Sequence, residues 1–144
     1  MTKTIIALWG TANVGKSMTL ARLGRQLQRS GAITQADVKR EEYRAIFNYQ
    51  SHIIGLQTYG DFVHVVDKGL NEFLKENCDI IVIASKSYGA TVDALGAFAG
   101  SHGYRLIWAS PYQVRDRSIA TDRINEYCAR HLFNIINDTI ANIL

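Results

Sequence analysis

Three short, nearly unbroken runs of hydrophobic residues divide the chain. They cover residues 4–9, 80–84 and 104–109, and none of them alternates regularly with polar positions. Strands of a parallel sheet are buried on both faces, so an apolar run of this length predicts such a strand. Between the runs, hydrophobic residues recur every three or four positions, which predicts helices. Strands that alternate with helices predict an α/β fold with a mainly parallel sheet.

The helical spacing predicts four helices: over residues 15–30, from Gly60-Asp61 to before Asn77, over 90–101 and over 119–142. The positions expected to be buried are Leu20, Leu23 and Leu27, then Phe62, Val65, Val66, Gly69, Leu70 and Phe73, then Val92, Leu95, Gly96 and Ala99, and finally Ile124, Tyr127, Cys128, Leu132, Ile135, Ile136, Ile140 and Ile143. We expect the last helix to pack on the core, although its exposed end could serve a homodimer.

Residues 43–49 and 52–58 are rich in aromatic and β-branched side chains, and Gln50-Ser51 separates them. This pattern predicts two antiparallel strands joined by a turn. The alternative is a short helix over residues 41–49. We find no linker-like segment and a single proline, Pro111, so we expect one domain over residues 1–144. The predicted fold is a three-layer sandwich with a mainly parallel central sheet and one antiparallel hairpin.

Composition narrows the classes of function. No apolar run is long enough to span a bilayer, and no leader peptide is evident, so we expect a cytoplasmic protein without a membrane partner. The net charge of +3 favours anionic ligands but is too small to favour nucleic acid. Cys78 and Cys128 form no C-x-x-C pair, and the four histidines show no metal-ligand spacing: His52, His64, His102 and His131.

A phosphate-binding motif of the form G-x-x-x-x-G-K-[ST] follows the first predicted strand and precedes the first predicted helix. Glycines at both ends allow a sharp turn, so that backbone N–H groups converge on a phosphate at the helix N-terminus. The residues predicted to bind the nucleotide are Gly10, Thr11, Ala12, Asn13, Val14, Gly15, Lys16, Ser17 and Met18. In this motif the lysine reaches the β- and γ-phosphates, and the hydroxyl of Ser17 binds Mg²⁺.

Phosphoryl transfer also needs a carboxylate near the metal or nucleophile, and usually a further cation. The second apolar run ends in Ser85 rather than an acid, so Asp61 is the best candidate, as a Mg²⁺ ligand or as a base. It could equally be the N-cap of the second helix. Asp37 could orient an acceptor, although an exposed loop position explains it better. Arg115 and Arg117 could stabilise the transferred charge, or simply form an exposed basic turn.

In an open α/β sheet, ligands bind beyond the C-terminal ends of the strands. This rule predicts that the motif, Asp61, residues 85–89 and residues 110–117 surround one crevice. The position of Lys86 and Ser87 at the C-terminal end of a strand favours a ligand role over an ordinary surface role. Arg22, Arg25 and Arg29 suit a solvated helix face better than a nucleic-acid groove.

The chain resembles the P-loop NTPase superfamily, most closely its small kinase-like members. The motif that ends in Lys16-Ser17 carries this resemblance. Together with residues 54–61 and 78–91, it is similar to a family of short bacterial ATP-binding proteins. The resemblance implies ATP and Mg²⁺ as ligands and Asp61 as an active-site acid. The N-K-x-D signature of the GTP-specific members is absent from the sequence, which favours ATP.

The sequence therefore predicts a Mg²⁺–ATP-dependent phosphotransferase or ATPase in which Lys16, Asp61, Arg115 and Arg117 are the catalytic residues. The phosphoryl acceptor, a small molecule, is not specified by any motif. The first alternative is a regulatory module that senses ATP without catalysis. The second is a nucleic-acid-associated ATPase, which rests only on the modest basic charge.

Overall fold

A computed structural model describes residues 1–10 and 15–144 of the chain. Within them it shows an α/β fold with a five-stranded sheet and four helices. The elements in chain order are β1 (Thr4–Trp9), α1 (Lys16–Arg29), β2 (Arg44–Tyr49), β3 (His52–Gln57), α2 (Val63–Lys75), β4 (Ile80–Ser85), α3 (Ala90–His102), β5 (Arg105–Ala109) and α4 (Thr121–Ile140).

The sheet has the strand order β2-β3-β4-β1-β5. Strand β1 lies between β4 and β5 and is parallel to both, and β3 is parallel to β4. Only β2 is antiparallel to its neighbour β3, with Phe47 opposite Ile54. The predicted hairpin is therefore confirmed, and the alternative of a short helix over residues 41–49 is wrong.

The hydrophobic core consists of two clusters, and alternate residues of β1 contribute to each. Ile6 and Leu8 belong to a cluster that also contains buried residues of α1 and α4. Ile5 and Ala7 belong to the other, with residues of α2 and α3. Because successive side chains of a strand point to opposite faces, the clusters cover the two faces of the sheet. Burial on both faces explains why β1 and β4 are almost continuously apolar.

The ends of the sheet differ in how their backbone is covered. Ile33 pairs with Asn48 of β2 through two backbone hydrogen bonds of 2.9 Å, so part of the β2 edge already has a partner. Strand β5 forms the opposite edge, and the side chain of Trp108 remains 39% exposed.

Several positions predicted to be buried are exposed. Phe62 precedes the first residue of α2 and is 64% exposed, while Ile143 follows α4 and is 73% exposed. Gly96 lies on the outer surface of α3, and Tyr127 is 43% exposed on α4. The buried residues of α4 include the predicted Cys128, Leu132 and Ile136, together with Asn125, Ala129 and Thr139, which were not predicted. Helical spacing predicted the stripes, but their exact rotation and ends depend on the neighbouring elements.

Tyr43 joins α1 to the start of β2. Its hydroxyl donates a hydrogen bond of 2.9 Å to the carbonyl oxygen of Ala21. Burial raises the pKa of Tyr43 to about 12, so the hydroxyl remains a donor at neutral pH. Burial likewise raises the pKa of Cys78 to about 12 and also raises the pKa of Cys128, which disfavours the reactive thiolate form of both residues.

Within residues 1–10 and 15–144, no helix is long and apolar enough to cross a membrane.

Candidate functional site

Lys16, the first residue of α1, brings three segments together at the C-terminal edge of the sheet. Its ammonium donates hydrogen bonds of 2.9 Å to the carbonyl oxygens of Gly10 and Ser85. It also pairs with Oδ1 of Asp61 at 3.0 Å. The lysine side chain is only 7% exposed. A buried ammonium needs compensating partners, and these contacts hold the charge at a fixed place between the ends of β1 and β4.

Asp61 faces this ammonium rather than the backbone of α2. The helix begins at Val63 after an extended Phe62, and no side chain caps its N-terminus. The N-cap interpretation of Asp61 is therefore wrong, because its carboxylate is paired with Lys16 instead. The Asp61 side chain is still 44% exposed, so it remains accessible to a ligand or to water.

Ser17 is fixed by a second set of contacts beside Lys16. Its hydroxyl donates a hydrogen bond of 3.0 Å to the carbonyl oxygen of Thr58, immediately after β3. The Thr58 hydroxyl is fully buried and accepts a hydrogen bond of 2.9 Å from the backbone N–H of Tyr43. The Ser17 hydroxyl, which the motif assigns to Mg²⁺, is thus held against the end of β3. Asp61 follows the same strand end a few residues later.

Gly15 shows why a residue without a side chain is required before Lys16. Its backbone is left-handed, with φ of 85°, which favours glycine. A Cβ atom placed there would lie 2.7 Å from Oδ1 of Asn125, a buried residue of α4. The first turn of α1 therefore packs closely against α4.

An open cavity of about 270 Å³ lies beside this contact. Its lining combines apolar and polar groups, and the loop between β5 and α4 supplies several of them: Gly15, Tyr112, Gln113, Val114, Ile119, Thr121, Ile124 and Asn125. Tyr112 is anchored to α4, because its N–H contacts the sulfur of Cys128 at 3.2 Å and its hydroxyl lies 3.2 Å from Nδ1 of His131. The cavity joins the described end of the motif to the predicted 110–117 loop.

The remaining predicted nucleotide-binding residues can be placed only in part. Thr11, Ala12, Asn13 and Val14 lie outside the described residues. Met18 is half-buried in the first turn of α1.

The other predicted site residues form no hydrogen bond with Lys16 among the residues that the structure describes. Arg115 and Arg117 are exposed, and neither bonds to Lys16 or to a carboxylate within residues 1–10 and 15–144. Lys86 lies 5.9 Å from the ring centre of Phe62, and Ser87 is half-buried beside it.

Asp37 accepts a hydrogen bond of 3.0 Å from the N–H of Lys39. It also lines an open cavity of about 510 Å³ with Tyr43, Arg44 and Tyr59.

The donor set suits a nucleoside triphosphate with Mg²⁺. Lys16 supplies a fixed cation at the first residue of α1, and a helix N-terminus favours a bound anion. Among the described residues, no cluster of three or more His, Cys, Asp or Glu side chains could hold a metal ion. Mg²⁺ is commonly bound through only one or two protein oxygens together with phosphate and water, so the two predicted ligands, Ser17 and Asp61, would be enough to hold it.

Comparison with known proteins gives no further assignment, because no family model, curated protein or solved structure matches the chain.

Sequence reasoning missed Asn125 and Thr58, and it placed Ser85 at this edge of the sheet without predicting its contact with Lys16. Asn125 is a buried polar residue near the start of α4 that lies outside the predicted apolar stripe, so the sequence pattern did not mark it. Thr58 and Ser85 contribute backbone carbonyl oxygens to Ser17 and Lys16. Every residue type carries such an oxygen, so no sequence signal could have identified those contacts.

Proposed function

We propose that the chain belongs to the P-loop NTPase superfamily and binds Mg²⁺–ATP as a small kinase-like phosphotransferase or ATPase. The observation that carries this proposal is the buried Lys16 ammonium, which faces Gly10, Asp61 and Ser85 at one edge of the sheet. The core clusters on both faces of that sheet support the three-layer form of the fold.

Lys16 and the N-terminus of α1 would bind the β- and γ-phosphates. To do so the ammonium would exchange the Asp61 carboxylate for phosphate oxygens, which leaves the carboxylate free. Mg²⁺, held by Ser17 and, through a water molecule, by Asp61, would neutralise phosphate charge. The cavity beside Gly15 and Asn125 has the mixed lining that a nucleoside needs, and it lies next to the first turn of α1.

In the reaction, an acceptor hydroxyl or a water attacks the γ-phosphorus and the bond to the bridging β–γ oxygen breaks. Asp61 accepts the proton of the nucleophile directly or through water, and ADP leaves. Arg115 and Arg117 would have to approach from the 110–117 loop to stabilise the transferred charge. An acceptor would lie in the cavity that Asp37 and Tyr59 line.

Replacing Asp61 by asparagine separates binding from turnover. A general base contributes about 100- to 10,000-fold to a rate, so we expect the variant to lose at least about 100-fold in ATP turnover. ATP affinity should change much less, because the loss of a Mg²⁺ contact is offset by a Lys16 ammonium that no longer has to break its ion pair with a carboxylate. Product formation from Mg²⁺–ATP, followed by mass spectrometry with and without candidate acceptors, measures the first quantity, and calorimetry measures the second.

Asp67→Asn is the matched control, because Asp67 is exposed on α2 and has no role in the proposed site. Full ATP turnover in the Asp61→Asn variant would show that Asp61 is not the general base.

A regulatory ATP-binding module is the second candidate, and the absence of an acidic residue at the end of β4 favours it. That candidate gains support if the natural protein binds ATP tightly but forms no product.

A further inference from the structure

The outer edge of β5 has free backbone groups. The N–H of Arg105 donates to the carbonyl oxygen of Lys3, which means that Arg105, Ile107 and Ala109 direct their backbone groups toward β1. The intervening residues Leu106 and Trp108 direct theirs away from the sheet. Within residues 1–10 and 15–144, no other segment forms a backbone hydrogen bond with these two residues.

This edge also lacks the usual protection against pairing. Natural sheets cover an edge strand or place proline, lysine or a bulge in it. Strand β5 reads Arg-Leu-Ile-Trp-Ala and carries its single charge on the first residue. The opposite edge of the sheet is different, because Ile33 already pairs with Asn48 there. The two edges are therefore unequal: the β2 edge is paired in part, whereas β5 has no backbone partner on its outer side among the described residues.

A cavity of about 220 Å³ borders β5 on the α4 face. Its lining is largely apolar and includes Ile107 of the strand together with Leu132 and Ile135 of α4. On the other face, Trp108 is 39% exposed. Both faces of the strand thus offer apolar surface next to the free backbone groups.

We propose that β5 pairs with β5 of a second copy of this chain, antiparallel about a two-fold axis at Ile107, so that the two sheets become one. In this register Leu106 lies opposite Trp108 of the other copy, and their outward N–H and C=O groups form the hydrogen-bonded pairs. Arg105 lies opposite Ala109, so the two arginines do not meet. This register pairs all five residues of each strand and places no like charges opposite each other, so a second copy satisfies the free backbone groups of both open edges at once.

The association is independent of the proposed nucleotide site. Strands that pair antiparallel place the C-terminal edges of the two sheets at opposite ends of the dimer. The two Lys16 residues therefore face in opposite directions, and dimerisation should not depend on ATP.

Sedimentation and light scattering of the whole chain over a range of concentrations test the surface. We expect a reversible dimer whose dissociation constant rises at least about tenfold in Trp108→Lys, because the change places a charge on the paired edge. Ile33→Lys is the matched control, since Ile33 is 72% exposed beside the other edge of the sheet. A chain that stays monomeric at all concentrations, or a dimer that Ile33→Lys dissociates and Trp108→Lys does not, would overturn the proposal.

Cysteine cross-linking tests the register. Residues at the two-fold position of an antiparallel pair have Cα atoms about 4.5–5.5 Å apart, within the range of a disulfide. Ile107→Cys should therefore form a cross-linked dimer on oxidation. The two copies of position 108 are offset by two residues, or about 7 Å along the strands, so Trp108→Cys should not cross-link.

Circular dichroism of each variant establishes that it is folded before oxidation. A cross-linked dimer of the Trp108→Cys variant, without one of the Ile107→Cys variant, would overturn the register. Binding of an added extended peptide to a chain that remains monomeric would replace the second copy with another partner, and would equally contradict the proposal.

Discussion

Lys16→Ala is expected to weaken Mg²⁺–ATP binding at least about 100-fold, which corresponds to roughly 3 kcal/mol. The wild-type ammonium is buried and held within 3.0 Å of three oxygen atoms, so it is positioned before the ligand arrives. A hydrogen bond to a charged group contributes about 1.5–3 kcal/mol, and a lysine at this position would make more than one to a triphosphate. Isothermal titration calorimetry measures the loss.

The same substitution removes contacts from the ligand-free protein, so binding and folding have to be separated. Thermal unfolding without nucleotide shows how much stability the variant has lost. Lys68→Ala is a suitable control, because Lys68 is exposed on α2 and the same positive charge is removed. Unchanged ATP affinity in a folded Lys16→Ala protein would rule out the proposed role of this lysine.

Gly60→Ala is expected to lower the free energy of unfolding by roughly 1–3 kcal/mol, as overpacking against a rigid neighbour does. A Cβ atom at Gly60 would lie 1.7 Å from the carbonyl oxygen of Ala84 and 2.6 Å from its carbonyl carbon. These atoms belong to β4, a fully buried strand between β1 and β3, so they have little room to move. The segment that carries Asp61 must shift instead, and ATP turnover should fall as well.

Gly96→Ala provides the opposite result for the same chemical change. Gly96 lies in α3 with open space around the position of a Cβ atom. Alanine is favoured over glycine in a helix by about 0.8–1 kcal/mol, so this variant should be slightly more stable than the natural protein. Urea unfolding of both variants compares them directly. If Gly60→Ala lies within about 0.5 kcal/mol of the natural protein, the packing of Gly60 on β4 is not as tight as described.

The main features of the fold could be predicted because they depend on local pattern. Continuous apolar runs identified β1, β4 and β5, and the turn at Gln50-Ser51 separated β2 from β3. The backbone at both turn residues is left-handed, which suits a tight hairpin. Strand order was not predictable in the same way, because the position of β4 between β1 and β3 depends on packing across the whole domain.

The candidate site was predictable where a residue acts through its own motif, as Lys16 and Ser17 do. Asp61 was correctly expected near Lys16, but its alternative role as a helix cap failed because Phe62 continues the extended segment. Asn125 could not be connected with Gly15 from sequence, since 110 positions separate the two residues and only the packing of α4 on α1 brings them together. The roles of Arg115 and Arg117 stay predictions.

The central claim is that this edge of the sheet binds Mg²⁺–ATP, and thermal unfolding with a panel of ligands tests it most directly. ATP, GTP and inorganic phosphate are each added to the natural chain with and without Mg²⁺. At about 100 times its dissociation constant, a ligand stabilises the native state by roughly 2.7 kcal/mol. For a domain of this size we therefore expect Mg²⁺–ATP to raise the unfolding temperature by roughly 5–10 °C, and more than GTP or phosphate does. No shift with ATP at any concentration, with or without Mg²⁺, would contradict the account.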